Sequence, residues 1–323
     1  MQQEHIINQR SYISTLPITE ELHFEANRNY LFELPFLGGL TVRGDRDKEF
    51  LQGQLSCDIR QITSTAMRQG ALCNLKGRIL ALLDVIDWDG LQLILPKDLL
   101  LDTQKSLSTA AMLSRVKLEP TKAYQVYGLY LANPNDELPI HFHDLGENYA
   151  VIQNDILCGY HLSHHLYILL IKNEEIANIV EPFRKRGQLR GSFAWHYLQL
   201  SHKQVQIYPE TRGLFLPHRL DLHLSGYLSF DKGCYKGQEI IARTHYRAKI
   251  KHGLRLFIIE NTAPLAAGKK LFEPSGQVEV GELIDFSPLG NGRYLIAASI
   301  LLEHPSHVCI ENQSSTVELN PFG

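Results

Sequence analysis

The stretch Lys232-Gly233-Cys234-Tyr235-Lys236-Gly237-Gln238-Glu239 sets one cysteine among two glycines and two lysines and runs directly into Ile240-Ile241-Ala242-Arg243-Thr244-His245-Tyr246-Arg247, which reads as a helix. Backbone N–H groups at a helix start and nearby ammonium groups both favour a thiolate over a thiol, so the segment is suited to thiol chemistry or to anion binding. A lone cysteine more commonly serves as a small buried hydrophobe. Here Gly233 and Gly237 permit left-handed backbone and close approach of a partner, and the segment is too polar for a core strand.

Two further stretches stand in a fixed order before it. Val42-Arg43-Gly44-Asp45 leads to Phe50-Leu51-Gln52-Gly53-Gln54-Leu55-Ser56-Cys57-Asp58, and Cys73-Asn74-Leu75-Lys76-Gly77-Arg78 follows. With 232–239 and Arg243 these stretches resemble the YgfZ family of folate-binding proteins, relatives of the glycine-cleavage T-protein (aminomethyltransferase) implicated in iron–sulfur protein maturation and tRNA modification. Asn74 stands where that family usually has Asp. The resemblance implies an α+β fold. A folate-binding region of two interleaved α+β parts would cover 1–250, with about 50–130 inserted, and a small β-barrel would cover 251–323.

The chain's 323 residues suffice for two or three packed units, and 44% hydrophobic with 21% charged residues is ordinary for a globular protein. A net charge of −3 gives no global case for a nucleic-acid or membrane partner, so any basic surface must be local. The cysteines at 57, 73, 158, 234 and 309 are odd in number and form no Cys-x-x-Cys pair, which argues for a reducing compartment and against a cysteine-held cluster. The N-terminus lacks a signal-peptide pattern and the longest apolar runs are too short for a bilayer, so the expected location is the cytoplasm.

Local pattern supports a mixed fold. Residues 40–43 read as a strand, and Asp45 as the cap of a helix whose Phe50, Leu51 and Leu55 share a face. Residues 67–73, 79–88 and 91–95 read as antiparallel strands, with Asp89-Gly90 as a hairpin turn. A helix is predicted over 98–113, strands over 116–118, 124–132, 148–153 and 166–171, and helices over 174–185 and 193–202. Beyond Gly253, short β segments separated by Pro and Gly read as an all-β unit. Strand and helix signals alternate without β-α-β repetition, which is α+β rather than α/β.

Carried over residue by residue, the resemblance implies that Trp195 contacts a tetrahydrofolate or other reduced folate, with Lys232, Tyr235, Gln238, Glu239, Arg243 and Arg247 as further cofactor-binding residues and Cys234 as an essential thiol. Two positions depart from the family. An aromatic contact falls on Leu37 and an acidic one on Ser201, and a hydroxyl cannot reproduce the bidentate acceptance a carboxylate offers a pterin edge. The acids that assist aminomethyl transfer in the T-protein fall on Leu80 and Ala81, which argues against that activity. Arg243, Arg247, Lys249, Lys251 and Arg255 form a local basic stretch, a dock for a polyglutamate tail or an acidic partner, with tRNA phosphate a weaker third. The histidine-rich run Cys158 to His165, preceded by His141 and His143, has no second half, so no metal is expected.

The sequence thus predicts a cytoplasmic folate-binding accessory protein that supports iron–sulfur enzymes and tRNA modification. Its expected partners are a reduced folate and iron–sulfur enzymes or assembly proteins, with neither a membrane nor direct tRNA contact. Two alternatives stay open. One is a one-carbon or thiol-dependent enzyme with Cys234 as nucleophile and His218, His223 or His245 as base. The other is an interaction module that has lost its ligand.

Overall fold

A computed structural model describes residues 2–136 and 148–322. Two α+β parts are interleaved in the chain. Strand Tyr30–Glu33 enters a six-stranded sheet, and the chain then leaves to build a five-stranded antiparallel sheet in the order Arg68–Cys73, Ile79–Asp87, Leu91–Pro96, Leu37–Arg43, Lys117–Pro120. It returns with Tyr124–Tyr130 to complete the six-stranded sheet with Leu166–Lys172, Leu157–Ser163 and Val151–Gln153 on one side, and with Leu189–Arg190 pairing parallel to Tyr30–Glu33 on the other. The inserted sheet therefore begins at Leu37 and ends at Pro120, earlier at both ends than the expected 50–130, because pairing partners far apart in sequence decide membership.

The C-terminal part is a curled seven-stranded antiparallel sheet, half a barrel, with Glu279–Gly290, Arg293–Leu301 and His252–Glu260 at its centre. Helix Ser192–Ser201 lies between the six-stranded sheet and this one. Trp195 packs so closely on Gly128 that a Cβ there would sit 2.4 Å from the indole, while His196 reaches Asp285 at 3.1 Å. Tyr208 Oη at 2.7 Å and the Gln206 and Phe286 N–H groups at 3.0 and 2.9 Å complete the Asp285 carboxylate's shell, so this buried acid is saturated with donors.

Several local expectations shift. The helix after the first motif spans Asp47–Gln54 with Arg46 at its N-cap, so Asp45 lies in the preceding turn and does not cap it. Asp89 and Gly90 take φ of 53° and 93°, the geometry their sequence predicts for a two-residue hairpin. The histidine-rich run forms strand Leu157–Ser163, paired with Leu166–Lys172 and buried from Leu157 through Leu162. His141 and His143 lie outside the described residues, and among those described no group of histidines, cysteines or acids could hold a metal.

Candidate functional site: a central cavity and a cysteine loop

The three motif stretches, distant in sequence, meet in one unit. Gly237, at φ 84°, precedes helix Gln238–Arg247 as its N-cap, and a Cβ on it would lie 2.5 Å from the Asn74 carbonyl and 3.1 Å from Gly77 Cα. Gly77, at φ 70°, presses back, with its Cβ position 3.1 Å from Ile240. Only residues without a side chain allow this approach. Asn74 Oδ1 accepts from the Lys76 and Arg78 N–H groups at 2.9 and 3.0 Å, so this turn is held by an oxygen that Asp would also supply. Gly233 takes no positive φ and has open space around it, so the left-handed backbone expected there is confined to Gly237.

The first motif supplies the seat. Lys232 is buried, and its Nζ donates to the Leu55 and Cys57 carbonyls at 2.6 and 2.7 Å. Desolvation pushes its pKa down to about 8, and the two carbonyls aimed at it accept from the ammonium that remains at neutral pH. Lys236 N donates to Gly53 O at 3.1 Å, and Gln238 Oε1 accepts from Tyr235 N at 3.1 Å, closing the loop on itself. Tyr235 is buried beside Lys232, 5.0 Å from its ring centroid to Nζ, so Lys232 and Tyr235 fasten the loop from inside.

What the loop presents outward is Cys234, the one fully exposed cysteine of five. Cys57, Cys73 and Cys158 are buried, and desolvation pushes each thiol up to about 12. Glu239, Arg243 and Arg247 are exposed on the helix that follows, and the Glu239–Arg243 pair allowed by their spacing is not made. The histidines offered as bases gather with one another: ring centroids of His218 and His223 are 4.9 Å apart, and those of His218 and His245 are 5.9 Å apart. Burial and its neighbours push His218 down to about 4, and among the described residues no hydrogen bond joins any of the three to Cys234.

Trp195 is elsewhere. Its indole is fully buried between Gly128 and Phe32, and it lines neither part of the central cavity. Gln199 lies one turn later on the same face of the helix and lines the recess, so Trp195 is set back from it along the helix axis, with its indole against Gly128. Ser201 also stays out, its hydroxyl donating to the Leu198 carbonyl at 2.8 Å. Leu37 does line the cavity's deeper part.

That cavity lies where the three sheets meet. Its wider part, about 370 Å³, is bordered by Gln69, Leu82, Leu162, Gln204, Tyr227 and Leu254 among others, drawn from all three. A narrow recess of about 50 Å³ continues from it, sharing Gln69, Leu82, Gln204, Val205 and Tyr227, and ends at Asp84. Asp84 is the residue sequence reasoning missed. The signal was there: it is an acid in the otherwise apolar run Ile79-Leu80-Ala81-Leu82-Leu83-Asp84-Val85-Ile86, two residues after Leu82 and thus on the same face. A larger open cleft of about 690 Å³ lies beside Leu37–Arg43, but its one carboxylate, Glu33, is already paired with Arg184 at 3.5 Å.

With this geometry in view, comparison defines the class first. The aminomethyltransferase T of the glycine cleavage system from Bartonella henselae superposes with a TM-score of 0.74, covering 99% of this chain and 93% of that one at 14% identity, so the fold is the T-protein fold. No protein-family model matches the chain. The tRNA-modifying protein YgfZ of Colwellia psychrerythraea is 26% identical over 229 residues, 70% of each chain. The protein of the same name from Shigella dysenteriae serotype 1 is 25% identical over 296 residues, 87% of this chain and 89% of that one. The chain is a relative of the YgfZ proteins built on the T-protein fold.

Proposed function

We propose that this protein is a folate-binding accessory factor of tRNA modification that supports the iron–sulfur enzymes of that process, with Cys234 as its essential thiol. One observation carries the reading: strand Arg68–Cys73 borders both sites, lining the cavity with Gln69 and abutting Gly237 with Cys73. A ligand in the cavity and a thiol on the loop are thereby attached to one rigid element. The region 1–250 would hold the ligand, and 251–323 would close it from the C-terminal side.

A cavity of about 370 Å³ in which leucines such as Leu82, Leu162 and Leu254 alternate with polar side chains such as Gln69 and Gln204 has the size and mixed lining of a small-molecule site. Leu80 and Ala81, both buried, leave aminomethyl transfer without an acid at those positions, which favours a binding role over that reaction. Arg243 and Arg247, exposed on the helix that follows the cysteine loop, suit an acidic protein partner or the polyglutamate tail of a folate. The test is complementation: in cells lacking the protein, the wild-type gene restores iron–sulfur-dependent tRNA modification and Cys234→Ser does not. Full rescue by Cys234→Ser at equal abundance would remove the thiol from the mechanism.

A further inference from the structure

We propose that Asp84 fixes the ligand of the central cavity by accepting two parallel hydrogen bonds from adjacent N–H groups on the edge of a flat heterocycle, an inference that rests on the folate reading above. The carboxylate ends the narrow recess, deep between the sheets, yet it keeps some accessible surface, and that surface opens into the recess. Oδ1 accepts from Gln69 Nε2 at 3.1 Å and Oδ2 from Tyr160 Oη at 2.9 Å. A carboxylate offers about four acceptor sites, so one on each oxygen is left over, the pattern a pair of adjacent N–H donors satisfies.

The surroundings select the same kind of ligand. Among the described residues no Lys, Arg or His forms an ion pair with Asp84. Gln204, which borders both parts of the cavity, has a buried Oε1 with no partner. The spare sites of Asp84 and the unpartnered Gln204 Oε1 are acceptors and ask for donors, and the recess admits an edge rather than a bulky group. An amino-pyrimidine edge, such as that of a pterin, has this form. Asp84 would thus supply the bidentate acceptance that Ser201 cannot.

Only the ionised carboxylate accepts at both oxygens, and burial pushes Asp84 up to about 6. The titratable groups that face it are Tyr149, Tyr160 and Tyr227, all pushed upward and therefore neutral. His164 and His202 border the wider part, and they are common to wild type and variant, so the difference between the two profiles belongs to Asp84.

The experiment is calorimetric titration of the purified full chain with tetrahydrofolate at pH 5 to 8, for wild type and Asp84→Asn, with thermal melting of each to report folding. Asp84→Ser replaces Asp84→Asn if the latter does not fold. We expect wild type to bind with an affinity that falls as pH drops through about 6, and the variant to bind at least tenfold more weakly at pH 7.5 with a flatter profile. Equal binding and equal profiles would overturn the role of Asp84 and leave the folate reading standing. No binding by wild type at millimolar ligand would overturn both.

Discussion

Asp285 and Asp84 are two enclosed carboxylates in one molecule, and they are held in opposite ways. Asp285 accepts from His196, Tyr208, the Gln206 N–H and its neighbour's Phe286 N–H, which leaves it nothing to offer a ligand. It joins the 192–208 segment to the C-terminal sheet. Asp84 accepts from two donors and turns the rest of its surface to a cavity. A saturated buried acid organises structure, and an unsaturated one facing open space is available for function.

This contrast can be broken by substitution. Asp285→Asn puts an NH₂ where donors already converge and should cost about 3–5 kcal/mol, read as a lowered thermal midpoint. A loss under 1 kcal/mol would show that the shell around Asp285 is loose. Next in size, Gly237→Val combines a left-handed φ of 84° with a Cβ 2.5 Å from the Asn74 carbonyl and should cost about 3 kcal/mol. Unchanged denaturant stability would mean that the cysteine loop is not seated as described.

Asp84→Asn should go the other way. The native state holds the Asp84 proton more tightly than the unfolded chain, so wild type loses stability as pH rises from about 4 to about 6 and carries a constant deficit above that. The asparagine variant lacks this deficit. Without ligand at pH 8 it should be more stable than wild type by about 1–2 kcal/mol, less than the full shift implies because the carboxyl is partly open to the cavity. At pH 4 the two should melt together. A variant less stable than wild type at pH 8 would make Asp84 a structural acid like Asp285. The smallest effect concerns Cys234→Ser, which should change stability by less than about 0.5 kcal/mol because the side chain is exposed. In wild type, brief iodoacetamide treatment should label Cys234 before the other four, read by peptide mass spectrometry, since Cys57, Cys73 and Cys158 are buried and Cys309 is half-buried.

How much of this was legible follows from where the information sits in the chain. The cysteine loop is a contiguous string, so its helix start and its Gly237 turn could be read from residue types alone, whereas its packing on 73–78 could not. The α+β class and the change to β structure near residue 250 were legible for the same local reason. The cavity is assembled from at least six segments, and nothing local marks Asp84 as facing it except one acid in an apolar strand. Trp195 shows the converse limit: its place in a motif is readable, but whether the indole meets a sheet or a cavity depends on which part of the helix lies over a partner 67 positions earlier, Gly128. Strand Leu157–Ser163 was hidden because its glycine, histidine and serine read as polar, whereas pairing buries Leu157 to Leu162 on both faces.

The central claim, a reduced folate held in the space between the three sheets, is tested most directly by hydrogen exchange of the full chain with and without saturating tetrahydrofolate. The account predicts slowed exchange confined to the cavity's own segments, 68–73, 202–206 and 220–227, with little change over 243–251. Protection absent from those segments, or found only over the basic stretch at 243–251, would contradict it.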